Sequence, residues 1–235
     1  MRILRTVDRD YFLKQILSTK GPVLEVGVGT GRFFLDALNR GADIYGIDVS
    51  ETMLQQLKAK IDEQNQHRVF LQDARSLKLS RKFDLIVAPF RVFSHLLGVE
   101  DQLSALNSIY DHLSPGGRFI FDLYVPDLKI LQNGIREETD FDGEYAPGKR
   151  LKRVVSARPD LISQINHVTM TLTWDEEGKS KTESWHLPMR FFFRHELEHL
   201  VNRSKLRLKH MYGDYQEHEL NSDSKDFVVV CERGT

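Results

Sequence analysis

Residues 23–33 read VLEVGVGTGRF, and a second stretch, GIDVS, follows at residues 46–50. The first stretch is an apolar run of strand length that ends, where a helix would begin, in three alternating glycines: Gly27, Gly29 and Gly31. Glycines at such a junction tolerate unusual φ values and let a ligand approach the backbone. Asp48 ends the next apolar run, and a carboxylate at that place in a doubly wound fold accepts hydrogen bonds from ribose hydroxyls. The two stretches therefore predict a ligand bound across the carboxyl edge of a parallel sheet.

The alternation of strands and helices continues through the first half of the chain. Its apolar runs are too continuous for a half-exposed sheet and are typical of one buried on both faces. Amphipathic stretches lie between them, such as SETMLQQLKAKIDEQ, in which Ser50 is the predicted N-cap. This repeat predicts an α/β fold with a doubly wound, mostly parallel sheet. The predicted strands are VLEVG (23–27), DIYGID (43–48), RVFLQD (68–73), FDLIVAP (83–89) and GRFIFDLY (117–124).

The pattern changes in the second half of the chain. Stretches such as ISQINHVTMTLTWDEEGKS alternate in polarity and are rich in Thr and Val, which indicates antiparallel strands, and we interpret about residues 149–193 as a β insertion. Segment 132–150 is polar and contains glycine, so we predict a mobile connector there. A helix at 194–203 and strands at 207–215 and 226–233 are predicted to follow.

The composition is that of an ordinary globular chain of 235 residues, 40% hydrophobic and 29% charged, for which one domain is expected. Lys and Arg number 33 against 34 Asp and Glu, so the net charge is −1. A chain with so small a net charge has no overall electrostatic attraction to nucleic acid or to an anionic membrane, so neither is an expected partner. Local basic residues at 149–153 and 203–209 indicate a solvated face, although a structured RNA stays open as an alternative substrate.

The single cysteine, Cys231, cannot form an internal disulfide, which fits a reducing cytosol. It stands in the apolar run DFVVVCER, so we predict a buried strand residue rather than a reactive thiol. The first residues, MRILRTVDRDYF, lack the apolar stretch of a signal peptide, and no run approaches the roughly 20 apolar residues of a membrane span. We therefore predict a cytoplasmic protein.

Four features of the glycine-rich region together indicate one family. The spacing is G-x-G-x-G, whereas the dinucleotide fingerprint places its third glycine one residue later. Glu25 precedes the first glycine by two residues, a third strand ends in Asp73-Ala74, and a fourth, FDLIVAPF, leads to LSPGGRFIFD. Over residues 20–125 the sequence closely resembles the class I S-adenosylmethionine-dependent methyltransferases, and the resemblance is looser beyond. It implies a Rossmann-like α/β fold with a seven-stranded, mostly parallel sheet.

The resemblance implies S-adenosyl-L-methionine as cofactor and S-adenosyl-L-homocysteine as product. On the family's pattern, Glu25 and the three glycines form the turn around the methionine part of the cofactor. Asp48 would bind the ribose hydroxyls, and Met53, in the D-x-S-x-x-M-L pattern, would pack on the adenine. The alternative is that the glycines only make a tight turn and the aspartates only cap helices.

The resemblance also implies roles for residues after the third and fourth strands. Asp73 and the backbone of Ala74 would recognise the adenine edge, while Ala88 and Phe90 would line the space near the sulfonium. We predict that the single domain is divided into an N-terminal helix and lid (1–20), to which Tyr11 and Phe12 would belong, a cofactor-binding core (21–130), the β insertion covering the acceptor site, and a C-terminal helix with the last two strands (194–235).

Residues 195–199, HELEH, satisfy the H-E-x-x-H pattern of zinc peptidases, in which two histidines on one helix face hold the metal. On the helical period, however, both histidines point to solvent. The opposite, apolar face consists of Phe193, Leu197, Leu200 and Val201. Glu217 or Glu219 could supply a later ligand, so ligand count alone does not exclude zinc. The family commonly has an E-L-x-x-L helix followed by a strand here, and we predict an ordinary helix without a metal.

Methyl transfer is an in-line displacement at a sulfonium carbon, and much of its rate can come from positioning and from exclusion of water. A hydroxyl acceptor usually needs help in losing its proton, whereas a neutral amine does not. His95 follows the fourth strand, Tyr124 comes just after FIFD at the end of the fifth, and both are candidates for this role. Arg190 and Tyr215 are weaker candidates for gripping the substrate. The alternative for all four is a hydrogen-bonded structural residue.

The acceptor class is inferred from motifs that are present or absent. Methyltransferases of nucleic-acid bases carry an Asn- or Asp-Pro-Pro-Tyr motif where this chain has APFRVF. The β insertion resembles small-molecule members of the family, including amino-sugar N-methyltransferases. We therefore predict a monomer or homodimer that methylates nitrogen or oxygen of a small molecule. The alternatives are an RNA or protein methyltransferase, a non-catalytic cofactor-binding module, and an NAD-dependent oxidoreductase, which fits Asp48 but not the glycine spacing.

Overall fold

In the computed structural model, which describes residues 7–176 and 178–234, the chain forms two compact units. The larger unit contains residues 7–125 and 193–234, and the smaller contains Pro126–Phe192. Residues 1–6 of the predicted N-terminal lid lie outside the described residues. The strands are β1 Val23–Val26, β2 Ile44–Asp48, β3 Val69–Leu71, β4 Phe83–Ala88, β5 Leu113–Tyr124, β6 Ile135–Ala146, β7 Lys149–Asp160, β8 Ile165–Glu176, β9 Lys179–Arg190, β10 Leu206–Tyr212 and β11 Asp226–Arg233.

The helices connect and cover these strands. The N-terminal helix is buried on the side that carries Tyr11 and Phe12, so both residues belong to the core, and the lid role stays a prediction. Among the described residues, no helix is both long and apolar enough to cross a membrane. The helices are α1 Val7–Ser18, α2 Phe34–Asn39, α3 Glu51–Lys58, α4 Val99–His112, α5 Leu128–Asn133 and α6 Arg194–Arg203.

The larger unit is built on a seven-stranded sheet of order β10-β11-β5-β4-β1-β2-β3. The five strands from β1 to β5 pair with one another in parallel. β11 pairs antiparallel with both β5 and β10, so among the described strands of this sheet it alone runs against the others. The predicted doubly wound, mostly parallel sheet is therefore confirmed.

The central strands of this sheet are buried on both faces. Their sequences are continuous apolar runs, which is the pattern expected of strands in such a sheet. All four residues of β1 are buried, and in β4 only Asp84 is exposed. Phe12, Phe33 and Leu57, from the helices and the turn after β1, pack with these strands in one core. Because the strands are parallel, the carboxyl ends of β1 to β5 share one edge of the sheet, where a ligand of such a fold binds.

The strand predicted at 68–73 is shorter than expected and ends at Leu71. Asp73 accepts a hydrogen bond from the Arg75 backbone N–H (2.9 Å), which begins a 3-10 helix over Ala74–Ser76. An aspartate that binds the backbone two residues ahead offers the chain an alternative to the strand ladder. The same bond therefore explains both the early end of β3 and the start of the next turn.

The smaller unit contains α5 and a four-stranded antiparallel sheet of order β6-β7-β8-β9. β6 occupies most of the segment 132–150, so the prediction of a mobile connector there is wrong, and the sheet begins at Ile135. β6 is an edge strand with mostly exposed side chains and several register shifts along its pairing with β7. Such a strand needs no apolar alternation, and its polar composition concealed it.

Cys231 lies in β11 and is fully buried, as predicted. Burial raises the pKa of its thiol, which disfavours the reactive thiolate. We expect Cys231 to be unreactive towards the thiol reagent DTNB in the folded protein and to react once urea unfolds it. The absorbance of the released thiolate follows the reaction. Labelling of the folded protein at the rate of a free thiol would contradict the buried position.

Candidate active site

The turn between β1 and α2 brings bare backbone to the carboxyl edge of the sheet. Gly27, Gly29 and Gly31 have φ values of 71°, 54° and 93°. A Cβ at Gly27 would stand 2.5 Å from Val92 Cγ2, and one at Gly31 would stand 2.5 Å from Leu57 Cδ1. A Cβ at Gly29 would have no heavy atom of the described residues within 4 Å. Packing therefore requires two of the glycines, and the third faces open space in which a ligand can approach.

Asp48 ties the glycine turn to the end of β2. Its Oδ2 accepts a hydrogen bond from the Gly29 backbone N–H (2.8 Å), and its Oδ1 accepts one from the Ser50 backbone N–H (2.8 Å). The residue is only partly buried, and an ionised carboxylate offers about four lone-pair sites. Asp48 thus holds the backbone, as the capping alternative requires, and still has acceptor capacity for a hydroxylated ligand.

Glu25 is a buried carboxyl group in β1. It is 1% exposed, and its Oε2 has no hydrogen-bond partner among the described residues. Burial raises the pKa of Glu25 well above its usual range; the Arg32 guanidinium and the Phe34 backbone N–H oppose this shift, and the charge of Asp48 adds to it. A buried oxygen without a partner costs free energy, so Glu25 Oε2 is a candidate acceptor for a donor group of a ligand.

The raised pKa of Glu25 predicts a pH-dependent stability. Between the usual glutamate pKa and the raised one, the folded protein holds a proton that the unfolded chain has released, so stability falls as the pH rises through this window. We expect Glu25→Gln to increase the free energy of unfolding of the ligand-free protein at about pH 7, and the gain to disappear at about pH 4. Urea titrations at the two pH values measure it. An equal gain at both would contradict the shift.

Exposed apolar side chains lie around Asp48 on the side of β3. Met53 in α3 is 44% exposed, Val49 is 69% exposed, and Leu71, which pairs in register with Asp48, is 55% exposed. Grouped apolar side chains that remain exposed mark a binding surface. Sequence reasoning missed Val49 and Leu71, although their places directly after β2 and at the end of β3 could have signalled them.

Asp73 and Ala74 follow β3 at the same edge. A hydrogen bond from the Arg75 side chain lowers the pKa of Asp73, and Arg75 Nη2 lies 2.6 Å from Asp73 Oδ2. Arg75 also donates to Asp101 of α4 at 3.1 Å. Ala74 is partly buried at the start of the 3-10 helix. A ligand that binds Asp73 would therefore contact an ionised carboxylate that also binds Arg75.

The turn after β4 has an unusual backbone. It follows Ala88, which is 2% exposed, and contains two consecutive left-handed residues, Phe90 and Arg91, with φ values of 62° and 61°. Each such non-glycine residue costs about 1–3 kcal/mol, so the surroundings must hold it. The Arg91 backbone N–H donates to buried Asp122 (3.1 Å), and its guanidinium pairs with Asp226 (3.0 Å). Strain of this kind concentrates at functional sites.

Arg32 joins three segments of the larger unit. Its guanidinium donates two hydrogen bonds to the carboxylate of Asp8 in α1, at 2.7 and 3.0 Å, and lies 4.8 Å from the centre of the Phe90 ring. Asp8 is 1% exposed, so the pair compensates a buried charge. Sequence reasoning missed both residues, because they are far apart in the chain and share no motif.

His95 and Tyr124, the candidates for proton transfer, both lie at the carboxyl edge of the sheet. His95 ends a 3-10 helix over Val92–His95. Partial burial lowers the pKa of His95, and the charge of Asp48 opposes this shift. Tyr124 ends β5, and the centre of its ring lies 5.8 Å from the Arg91 guanidinium. The fold thus brings Tyr124 towards Arg91.

Arg190 and Tyr215 have partners that hold them in place. Arg190 ends β9 in the smaller unit, is 6% exposed, and donates to Ser163 O (2.9 Å) and Gln164 Oε1 (3.0 Å). Tyr215 in the larger unit is also 6% exposed, and its hydroxyl donates to Asp122 Oδ2 at 2.7 Å. These contacts support a structural role for both residues. Arg190 belongs to the smaller unit, whereas the candidates His95 and Tyr124 both belong to the larger one.

The HELEH stretch lies in α6. The buried residues of this helix are Leu197, Leu200 and Val201. His195 and His199 are exposed, as predicted. Phe193 was expected on the apolar face but is 44% exposed, because it precedes the first helical turn and so lies outside the apolar stripe. Within the part of the chain that the structure describes, no three His, Cys, Asp or Glu residues form a group suited to a metal ion.

The fold, the glycine turn and Asp48 are together typical of α/β proteins that bind a nucleotide-like ligand across the carboxyl edge of the sheet. Residues 23–117 match the family described as "Methyltransferase domain". The chain is 30% identical over 169 residues to an uncharacterized methyltransferase of Geobacillus sp. (strain WCH70), an alignment that covers 68% of this chain and 76% of the relative. The chain belongs to the class I S-adenosylmethionine-dependent methyltransferases.

Two further similarities extend this result. Over 95 residues, 40% of this chain and 39% of the relative, the chain is 30% identical to the dTDP-3-amino-3,4,6-trideoxy-alpha-D-glucopyranose N,N-dimethyltransferase of Streptomyces venezuelae. A solved S-adenosylmethionine-dependent methyltransferase from Clostridium acetobutylicum ATCC 824 has the same fold, with a TM-score of 0.81, 16% identity, and coverage of 99% of this chain and 93% of that one. The chain is thus an enzyme with S-adenosyl-L-methionine as cofactor, as predicted.

Proposed function

We propose that the enzyme transfers the methyl group of S-adenosyl-L-methionine to a nitrogen or oxygen of a small-molecule acceptor, at the carboxyl edge of the larger unit. The observation that carries the proposal is the Asp48 carboxylate, held by backbone N–H groups beside the open face of Gly29. Bare backbone with an acid fixed next to it suits a ligand that carries a ribose.

The larger unit offers partners for the polar parts of the cofactor. Glu25 Oε2, which lacks a partner among the described residues, would accept a hydrogen bond from the ammonium group of the methionine part. That positive charge would favour the ionised form of Glu25 and offset the effect of burial. The turn with Gly27, Gly29 and Gly31 would lie against the same part, and Asp48 would accept hydrogen bonds from the ribose hydroxyls.

The adenine would lie on the apolar side chains around Asp48. Met53, Val49 and Leu71 are exposed and would lose that exposure beneath a flat ring, which is favourable by roughly 25 cal/mol per Å² of apolar area. Asp73 would accept from the exocyclic amino group while keeping its bond to Arg75. The Ala74 backbone N–H would donate to a ring nitrogen.

The cofactor supplies a methyl group bonded to a positively charged sulfur, and the residues of the chain supply positioning. Ala88 and Phe90 would line the space around that methyl group and exclude water from it. His95 is neutral at about pH 7, because its pKa is lowered, and could accept a proton from a hydroxyl acceptor. Tyr124 is the second candidate for this step. We assign no catalytic role to Arg190, because its guanidinium donates hydrogen bonds to Ser163 and Gln164.

Two observations support a small-molecule acceptor. The relative from Streptomyces venezuelae is named for the N,N-dimethylation of an amino sugar. The chain has a net charge of −1 and so lacks the basic surplus with which proteins bind a phosphate backbone. The cytoplasmic location and the monomeric or homodimeric state stay predictions, and gel filtration tests the latter.

An acceptor panel tests the proposed function. The enzyme is incubated with S-adenosylmethionine and with amines, amino sugars, amino acids and phenols, and mass spectrometry detects the added methyl group. The wild type is expected to methylate at least one class of compound, and Asp48→Ala is expected to do so far more slowly. Methylation of tRNA or of a protein, with no small molecule modified, would contradict the proposal and favour the macromolecular alternative.

A further inference from the structure

Asp122 is a buried carboxylate that the proposed cofactor site does not use. It lies in β5 and is 1% exposed. Its Oδ1 accepts a hydrogen bond from the Arg91 backbone N–H (3.1 Å), and its Oδ2 accepts one from the Tyr215 hydroxyl (2.7 Å). A carboxylate in the core is costly unless such donors compensate it. Asp122 therefore joins the turn after β4 to the segment after β10.

The bond to Arg91 acts where the backbone most needs support. Phe90 and Arg91 are both left-handed, and such residues persist only when surrounding groups fix them. Asp122 holds the main chain of Arg91, and Asp226 pairs with its guanidinium at 3.0 Å. Two acidic residues from two adjacent strands thus hold one turn, and the register places Asp226 beside Tyr124.

The same turn is also connected to α1. The Phe90 ring faces the Arg32 guanidinium at 4.8 Å, and Arg32 binds Asp8 of α1. One helical turn further along α1, Tyr11 contacts the ring of Tyr215, with ring centres 5.9 Å apart. The Tyr215 hydroxyl donates to Asp122, so these contacts form a closed network that includes the Phe90–Arg91 turn. A displacement at Asp122 would therefore reach Phe90 by two routes.

We propose that Asp122 is a positioning residue for methyl transfer, which fixes the Phe90–Arg91 turn and thereby the ring of Phe90 beside the reacting methyl group. This inference rests on the proposed site, in which Phe90 lines that space. Its physical basis is that methyl transfer depends on alignment, so that a displacement of about 1 Å in the surroundings can cost on the order of a hundredfold in rate.

Fluorine NMR of the full chain labelled with para-fluorophenylalanine tests the position of Phe90 without an acceptor. Phe90→Leu assigns its signal among those of the 14 phenylalanines. Asp122→Ala is expected to shift or broaden this signal, whereas Asp122→Asn should retain it, because the amide oxygen can still accept from Arg91. Tyr215→Phe, which removes only one of the two bonds, covers the case in which Asp122→Ala does not fold. Asp111→Asn, at an exposed pair with Lys205, is the matched control.

Kinetics with a compound methylated in the acceptor panel separate positioning from stability. In Asp122→Ala we expect kcat to fall by about tenfold while the Kd of S-adenosylhomocysteine changes by no more than about twofold, and Asp122→Asn should restore most of kcat. An unchanged Phe90 signal in Asp122→Ala would overturn the proposal, as would losses of kcat and of cofactor affinity in equal measure. If S-adenosylhomocysteine binds the wild type but leaves the Phe90 signal unmoved, the assigned site fails, and the inference fails with it.

Discussion

Asp48→Ala is expected to weaken the binding of S-adenosylhomocysteine by about tenfold to a hundredfold, which corresponds to roughly 1.5–3 kcal/mol for hydrogen bonds to a charged group. Two losses contribute to this result. The ribose hydroxyls lose their proposed acceptor, and the N–H groups of Gly29 and Ser50 lose the carboxylate that holds the turn. Isothermal titration calorimetry at fixed pH and salt measures the affinity, and circular dichroism checks that the variant remains folded.

The matched control for this change is Asp43→Ala. Asp43 directly precedes β2 at the opposite edge of the sheet and pairs with Arg68, so its loss should leave the affinity unchanged. Asp48→Asn keeps one carbonyl oxygen without the charge and should give an intermediate affinity. Zinc and NADH, titrated into the wild type, test the two rival ligands. Undiminished affinity in Asp48→Ala, or tight binding of NADH, would contradict the assigned site.

Gly27→Ala is expected to lower the free energy of unfolding by about 3 kcal/mol or more, because two penalties combine. A φ of 71° is unfavourable for alanine, and the new Cβ would stand 2.5 Å from Val92 Cγ2, where the side chain or the strand must move. Urea denaturation followed by circular dichroism measures the loss. We expect the variant to bind the cofactor weakly as well, since the turn must shift to admit the methyl group.

Gly29→Ala separates the two penalties. Its φ of 54° is also positive, but the added Cβ would meet no heavy atom of the described residues within 4 Å. The cost to stability should therefore be only about 1 kcal/mol, that of the backbone alone. Its effect on cofactor binding should be larger, because the methyl group would fill the space in front of the turn. Equal losses of stability in the two variants would show that packing at Gly27 is unimportant.

The parallel sheet and the glycine turn could be predicted from sequence because local patterns encode them. A buried parallel strand is a continuous apolar run, so β1, β2 and β4 were found within a residue or two of their ends. The turn was predictable for a related reason: Gly27 and Gly31 stand where the backbone needs positive φ values and where a side chain has no room.

Other features could not be predicted, because they depend on contacts between distant residues or on exposure. β6 pairs as a polar edge strand, so its sequence resembles a connector. The pairs Arg32–Asp8 and Asp122–Tyr215 join residues that are remote in the chain. The left-handed turn at Phe90 is invisible in a sequence that has no glycine there. Only tertiary structure brings these groups together.

The position of β11 has a consequence for the synthesis of the protein. β11 lies between β5 and β10, although it is the last strand of the described chain. β5 therefore leaves the ribosome long before its neighbour, and the whole of Pro126–Phe192 is translated in between. Pairings between such distant segments form slowly and leave apolar surface exposed meanwhile. We therefore expect the Phe90–Arg91 turn to complete its contacts only after Asp226 has been translated and can pair with Arg91.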